Sequence, residues 1–289
     1  MPRAFSPPLR LLPVVLLLGC AETQPAPTSA VKVANAVSLR AFPGAIHLVA
    51  GGARAPFVGV YEGRERVAEV AVEGHATLAE SKIARLEGGR VVALAAGEAT
   101  LHVENELGAV DVPVIVHAAP PTALALEVEP SRIGEAAKVK ATLTWAEGTS
   151  DATFDATYST DAASHLHVPD APDQKDWVAP LDAIGAILRA EAFELQTAAP
   201  IKATGKPPVG IEIRLAWSFL NLRRFGAFGR YDDGEEREVS GGCAWEVEGK
   251  PFRPDRVLGP TLNADQVSWS KTATCTLAGV RGSGSLFSP

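Results

Sequence analysis

The chain has 289 residues, long enough for two or three domains of about 80–120 residues each. Hydrophobic residues make up 46% and charged residues 21%, a balance that supports packed cores and excludes wholesale disorder. Lys and Arg number 27 against 34 Asp and Glu, with no basic run, so the chain lacks the clustered cations that nucleic acid or anionic lipid would need.

The first segment sets the compartment. Arg3 and Arg10 form a short positive region ahead of an apolar run, Leu11-Leu12-Pro13-Val14-Val15-Leu16-Leu17-Leu18, that ends at Gly19-Cys20. A bilayer span needs about 20 apolar residues, so this run suits the core of a signal peptide instead. Leu17-Leu18-Gly19-Cys20 resembles the lipobox of bacterial lipoproteins. The resemblance implies that residues 1–19 are removed and that the Cys20 thiol carries lipid, which makes the membrane a partner through the N-terminal anchor. Removal takes Arg3 and Arg10 and no acid, which brings the mature charge from −7 to about −9. By the same resemblance, Ala21 after the lipid cysteine implies the outer membrane, with either leaflet open.

Residues 20–30 carry no hydrophobic period and read as a flexible tether. Beyond them the chain reads as short strands punctuated by Gly, Pro and Asp, a pattern of all-β sandwiches rather than βαβ units. Val110, Val112, Val114 and Val116 alternate with Asp111, Pro113 and Ile115; Leu124, Leu126 and Val128 alternate with Ala125 and Glu127. Val139, Ala141, Leu143 and Trp145 form a third such run, and Ile211, Ile213, Leu215 and Trp217 a fourth. Successive strand side chains face opposite ways, so each run predicts a strand with one face on a core.

An internal repeat emerges from these runs. Pro120-Pro121 opens a segment with strands at 124–128 and 138–145, a turn at Glu147-Gly148 and a strand around Phe154–Tyr158. Pro207-Pro208 opens another with strands at 211–217 and near 221–231, a turn at Asp233-Gly234 and a strand at Cys243–Val247. The turn glycines and the double prolines recur at 86 to 87 residues, the length of one sandwich. Proline supplies no N–H to a ladder, so the double prolines read as hinges where a domain starts afresh. The expected modules are 31–117, 121–206 and 208–289. Within the second, Leu181–Leu188 reads equally as a short helix or as later strands, and Thr197–Lys206 as a terminal strand or linker.

The segment Ser81-Lys82-Ile83-Ala84-Arg85-Leu86-Glu87-Gly88-Gly89-Arg90-Val91-Val92-Ala93, followed by Gly97, Ala99, Leu101 and Val103, resembles the bacterial immunoglobulin-like group 2 family. Gly97 takes the place of that family's turn glycine, and Ala99, Leu101 and Val103 take the inward face of its next strand. Tyr231-Asp232-Asp233-Gly234 and Cys243-Ala244-Trp245 resemble its hairpin turn and tryptophan-bearing strand, and Thr272–Leu277 the strand that follows its glycine. The implied fold is a series of tandem immunoglobulin-like β-sandwiches. With Cys20 given to lipid, Cys243 and Cys275 remain as an even pair in an oxidising compartment. The resemblance puts them on strands facing each other across one core beside Trp245, and a disulfide is expected.

Catalytic chemistry is not expected. The chain has no Gly-x-Ser-x-Gly, His-Glu-x-x-His or Gly-x-x-x-x-Gly-Lys motif, and no cofactor is implied. His165 and His167 share one strand face, with Asp151, Asp155 and Asp161 upstream. They are weak candidates for a metal site against the plainer reading of a polar solvent face. Asp232-Asp233-Gly234-Glu235-Glu236 has the residues of a solvated turn rather than of a calcium loop. If Phe225, Ala227 and Tyr231 face a core, then Arg224, Phe228 and Arg230 stand outside as a candidate partner-binding surface. The same residues also make an ordinary amphipathic strand. The expectation is a non-catalytic envelope lipoprotein whose modules serve adhesion, scaffolding or polysaccharide contact. Its alternatives are an accessory subunit of a secretion or motility complex and a periplasmic metal-binding protein.

Overall fold

The computed structural model describes residues 37–63, 65–219, 222–252, 262–263 and 272–286. The expected signal segment, the tether and Cys20 lie outside the described residues.

The first strand set comprises β1 (Val37–Phe42), β2 (Ile46–Val49), β3 (Ala53–Arg54), β4 (Phe57–Glu62), β5 (Glu65–Val70), β6 (Ala76–Leu78), β7 (Ala84–Glu87), β8 (Arg90–Ala93), β9 (Gly97–Asn105) and β10 (Gly108–His117). One sheet runs β1-β4-β5, a second β2-β10-β9-β6, and a small third β3-β8-β7. The chain changes sheets at Pro43, between β1, which is antiparallel to β4, and β2, which runs parallel to β10. A residue without an N–H cannot carry a ladder onward, so it suits the crossing. Alternation then fills the core: Ala99, Leu101 and Val103 of β9 pack with Val112, Val114 and Val116 of β10 in one buried cluster with Leu39, Ile46, Val58 and Val60. Gly97 opens β9 at φ 146°, and a Cβ there would lie 2.6 Å from Cδ1 of Ile83. Both facts demand glycine at that position.

The second set comprises β11 (Ala123–Val128), β12 (Ala137–Trp145), β13 (Gly148–Asp151), β14 (Thr157–Thr160), β15 (Leu166–His167), β16 (Trp177–Pro180), β17 (Ala186–Ala192) and β18 (Leu195–Ile201). Its sheets run β11-β12-β16-β15, with β13 on β12, and β14-β17-β18. Val139, Ala141, Leu143 and Trp145 are all buried, as their alternation requires. The ambiguous stretch 181–188 resolves as loop followed by strand, with Leu188, Ala190 and Ala192 of β17 buried on alternate positions. The strand expected around Phe154–Tyr158 begins at Thr157. Upstream, the Ala152 carbonyl accepts from the N–H groups of Asp155 and Ala156, and this turn consumes the backbone that a longer strand would have paired.

The third set comprises β19 (Gly210–Phe219), β20 (Leu222–Arg230), β21 (Glu236–Glu238), β22 (Ala244–Val247), β23 (Lys250–Phe252), β24 (Leu262–Asn263), β25 (Thr272–Leu277) and β26 (Val280–Ser285). Its sheets run β19-β20-β21, with β24 on β20, and β23-β22-β25-β26. The expected inward row of β19 holds only in part. Ile213 is buried, whereas Leu215 is 40% exposed, because the register with β20 slips between Leu215 and Trp217 and ends the alternation. The fold is thus all-β, three immunoglobulin-like sandwiches in tandem.

The double prolines do not act as loose hinges. Between the first and second sandwiches, Phe42 packs on Phe154 with ring centroids 4.8 Å apart, and Arg66 meets Asp173 at 3.0 Å with both side chains buried. Between the second and third, Ile133 and Ala203 belong to the core formed by Phe225, Trp245 and Leu277. Gly134 lies so close beneath Leu277 that a Cβ would sit 2.2 Å from Cδ2, again at positive φ. Proline interrupts hydrogen-bonded ladders, but these packed side chains cross each junction and bind residues 35–289 into one compact unit.

Candidate binding surfaces and a buried junction

Cys243 and Cys275 form a disulfide with Cα atoms 5.2 Å apart. Its position differs from the expected bridge across the core. Trp245 of β22 pairs with Cys275 of β25, so the bridge joins neighbouring strands of one sheet. Cys243 sits where the chain leaves the short 3-10 turn Ser240–Gly242, just before β22 joins the ladder, which brings its sulfur to Cys275 on the diagonal. Cys275 is fully buried, and Cys243 packs against the same core.

On the outer face of β20, Phe228 and Arg230 point away from buried Phe225, Ala227 and Tyr231. The side chain of Arg224 lies outside the described residues. Phe228 is not bare: the Arg214 guanidinium lies 4.0 Å from its ring centroid and is ion-paired with Glu236. A shallow groove of about 210 Å³ lies beside this stack, bordered by Glu212 and Arg230. The acidic turn next to it is internally neutralised, with Asp233 paired to Arg132, Glu235 to Arg237, and Asp232 within 3.4 Å of Lys206. The Arg132 hydrogen bond holds the Asp233 carboxyl below its ordinary range.

His165 and His167 do not share a strand face: His165 lies in the turn that precedes β15, only His167 is on the strand, and the two serve different neighbours. His165 Nδ1 is 2.6 Å from the Asp182 carboxylate, whereas the His167 ring lies against Trp177 at 5.5 Å. Asp155 is paired with Arg54, Asp151 accepts from the Thr153 N–H, and Asp161 accepts from the Ile187 N–H. Among the described residues no group of three or more His, Cys, Asp or Glu converges as metal ligands. A larger groove of about 550 Å³ crosses the second sandwich between Glu127 on β11 and Glu129 just past it, Lys138 and Lys140 on β12, and Asp176. Its lining offers alternating charges, and burial pushes the Asp176 carboxyl upward.

The densest polar cluster escaped sequence reasoning. His47 of β2 and His117 at the end of β10 are both buried, at 7% and 5% exposure, with Nδ1 of His47 2.9 Å from Nε2 of His117. Glu147, on the β12–β13 turn of the second sandwich, takes the Nδ1 hydrogen of His117. The His117 ring stacks on Trp145 of β12 with centroids 3.5 Å apart and planes within 7°. Phe193 meets the indole edge-on at 5.2 Å, and the indole N–H donates to Ser150 Oγ at 2.8 Å. Burial, then His117, then Arg54 lower the His47 pKa, while the His117 hydrogen bond lowers that of Glu147. Alongside, Arg54 pairs with buried Asp155, whose carboxyl burial pushes up to about 6 against the pull of Arg54 and Lys175. Tyr61 donates to Asp173 at 2.5 Å beside Arg66, and burial raises the phenol pKa. The one local sign was a histidine inside the apolar run Ile46-His47-Leu48-Val49.

No protein-family model matches the chain, and no curated protein matches it. Solved structures similar to it include domains 5–6 of the surface-layer protein SbsC, at 14% identity over 58% of this chain and 98% of that one, with a TM-score of 0.29. Against the longer SbsC structure of domains 4–9, the chain spans 46% of that protein's length. The Escherichia coli adhesin FdeC is similar at 13% identity over 85% of this chain and 93% of its own, TM-score 0.23. The bacterial integrin-binding protein invasin is similar at 13% identity, TM-score 0.27, over 86% of this chain and 58% of its own.

Proposed function

We propose that this chain is a lipid-anchored protein of the bacterial envelope that works without catalysis. Cys20 holds it to the outer membrane, and its sandwiches, the first akin to the bacterial immunoglobulin-like group 2 family, serve adhesion, scaffolding or polysaccharide contact. The observation that carries this reading is the packing of both junctions, the first by a buried ion pair and an aromatic contact, the second by apolar side chains shared in one core. Such junctions hold binding surfaces in fixed relation to one another, which suits presentation at a distance from an anchor. The polar side chains support it as well: His165, Asp155, Asp233 and Glu236 are each engaged by a partner of this same chain.

The test has two readouts on protein expressed in a Gram-negative host. Mass spectrometry of the membrane-extracted protein should find an acylated N-terminus at Cys20, and antibody labelling of intact cells should establish the leaflet. An unacylated N-terminus at any other residue overturns the anchor. A stoichiometric protein partner recovered from solubilised envelope would replace adhesion with a subunit role in an envelope complex.

A further inference from the structure

We propose that His47 and His117 form an acid-released catch between the first and second sandwiches, closed at neutral pH and opened when both imidazoles take up a proton. The argument is a count of hydrogens. Each neutral imidazole carries one N–H and one bare nitrogen. Glu147 accepts from Nδ1 of His117, which leaves Nε2 of that ring bare, and His47 therefore donates its Nδ1–H across the 2.9 Å contact. One further proton can be accommodated, because the His47–His117 contact still has a single hydrogen between its nitrogens. A second cannot. With all four nitrogens protonated, two N–H groups would face each other at 2.9 Å in a site where both rings are more than 90% buried.

The surroundings make a pair of cations costly. Facing the rings are Arg54 from β3, Glu147 and Trp145 from β12 and its turn, Asp151 from β13, and Phe193 from the β17–β18 turn. Glu147 is one carboxylate against two imidazoliums and a guanidinium. Asp151 acts on His47 in the favourable direction, but it stands fourth behind burial, His117 and Arg54. In water both rings would be protonated below about pH 6.5. The open form thus binds at least one proton more than the closed form, and acid favours opening. The neighbouring Asp155 acts in the opposite sense: its carboxyl, raised to about 6 by burial, is the group that the closed form prefers protonated. The catch is therefore assigned to the imidazole pair.

The catch is located at the junction itself. Trp145, Glu147 and Phe193 belong to the second sandwich, and their contacts with His47 and His117 of the first are what opening would break. The test uses the full lipidated chain in detergent with the native disulfide intact. Nitroxides attached through Glu69→Cys and Glu191→Cys report the distance between the two sandwiches by pulsed electron resonance. A narrow distribution is expected at pH 7.5. A second, broader population should grow below about pH 6.5, its ratio to the first rising about tenfold per pH unit for each extra proton that the open form holds. In His47→Gln, whose amide still donates to His117 but does not titrate, the narrow distribution should persist to pH 5.5. If that variant is already broad at pH 7.5, imidazole nitrogen shifts of the wild-type protein decide. Both rings must become protonated over the pH interval in which the distances broaden. Broadening with either ring neutral overturns the catch, and so does an unchanged distribution down to pH 5.

Discussion

Tyr231, at the end of β20, donates its phenolic hydrogen to the backbone carbonyl of Ile133, 2.6 Å away and 98 residues earlier in the chain. The bond is buried, and Arg132 lies over the same ring at 5.1 Å. Ile133 sits in the loop between β11 and β12 yet belongs to the core of the third sandwich, so this contact fastens two sandwiches rather than finishing one. Tyr231→Phe keeps the ring and strands the carbonyl without a donor. The expected cost is about 1–2 kcal/mol, read as a lower urea midpoint of the third sandwich with an unchanged slope.

Arg66→Ala should cost more. Arg66 and Asp173 are 4% and 5% exposed, and the substitution leaves a buried carboxylate without its cation. Loss of one partner from a buried pair typically costs about 3–5 kcal/mol. Elastase, which cuts after small residues such as Ala118 and Ala123, should then nick the variant at this joint while the wild-type joint resists. A wild-type chain cut first at that joint would mean that the junction is open in solution.

The elements were largely legible, because each depends on near neighbours. Val139, Ala141, Leu143 and Trp145 announce a buried face by period alone, and the glycines of 147–148 and 233–234 mark the turns that return the chain. The same reasoning failed at Leu215, where a slip in cross-strand register undoes the alternation, and it left 181–188 open, where eight residues fit either period. The junctions were not legible at all. Arg66 with Asp173 and His117 with Glu147 are separated by 30 residues or more, and nothing beside either residue in the sequence marks its partner. Proline pairs signal the end of a ladder and say nothing about what packs across the gap. For the same reason the cysteine pairing could be read while its placement within one sheet could not.

The disulfide should matter to one sandwich alone. Cys243 and Cys275 enclose a separation of 32 residues and sit beside Trp245 in the third core. The Cys243→Ala/Cys275→Ala variant should lose roughly 2–5 kcal/mol there. Tryptophan fluorescence and calorimetry should show the third transition falling in temperature while the first sandwich, whose described residues contain no cysteine, keeps its own. Equal loss in both would mean that the packed junctions transmit the damage along the whole chain.

Finally, stability of the second sandwich should fall in mild acid through His167. This ring, on β15, lies against Trp177 of β16, and burial lowers its pKa while Asp170 acts the other way. The unfolded chain binds a proton at His167 near the ordinary value of about 6.5, whereas the folded chain resists it to lower pH. Between those two values the unfolded state holds the extra proton, so stability is complete above about pH 6.5 and is lost as pH falls below it. The slope is at most about 1.4 kcal/mol per pH unit for a single group. His167→Gln removes that proton, and the difference between wild type and variant isolates it from the His47–His117 pair. Urea midpoints measured at pH 7.5, 6.5 and 5.5 should therefore diverge, with the wild type losing stability faster than the variant. Parallel curves across that range would mean that His167 is protonated as readily in the fold as in water.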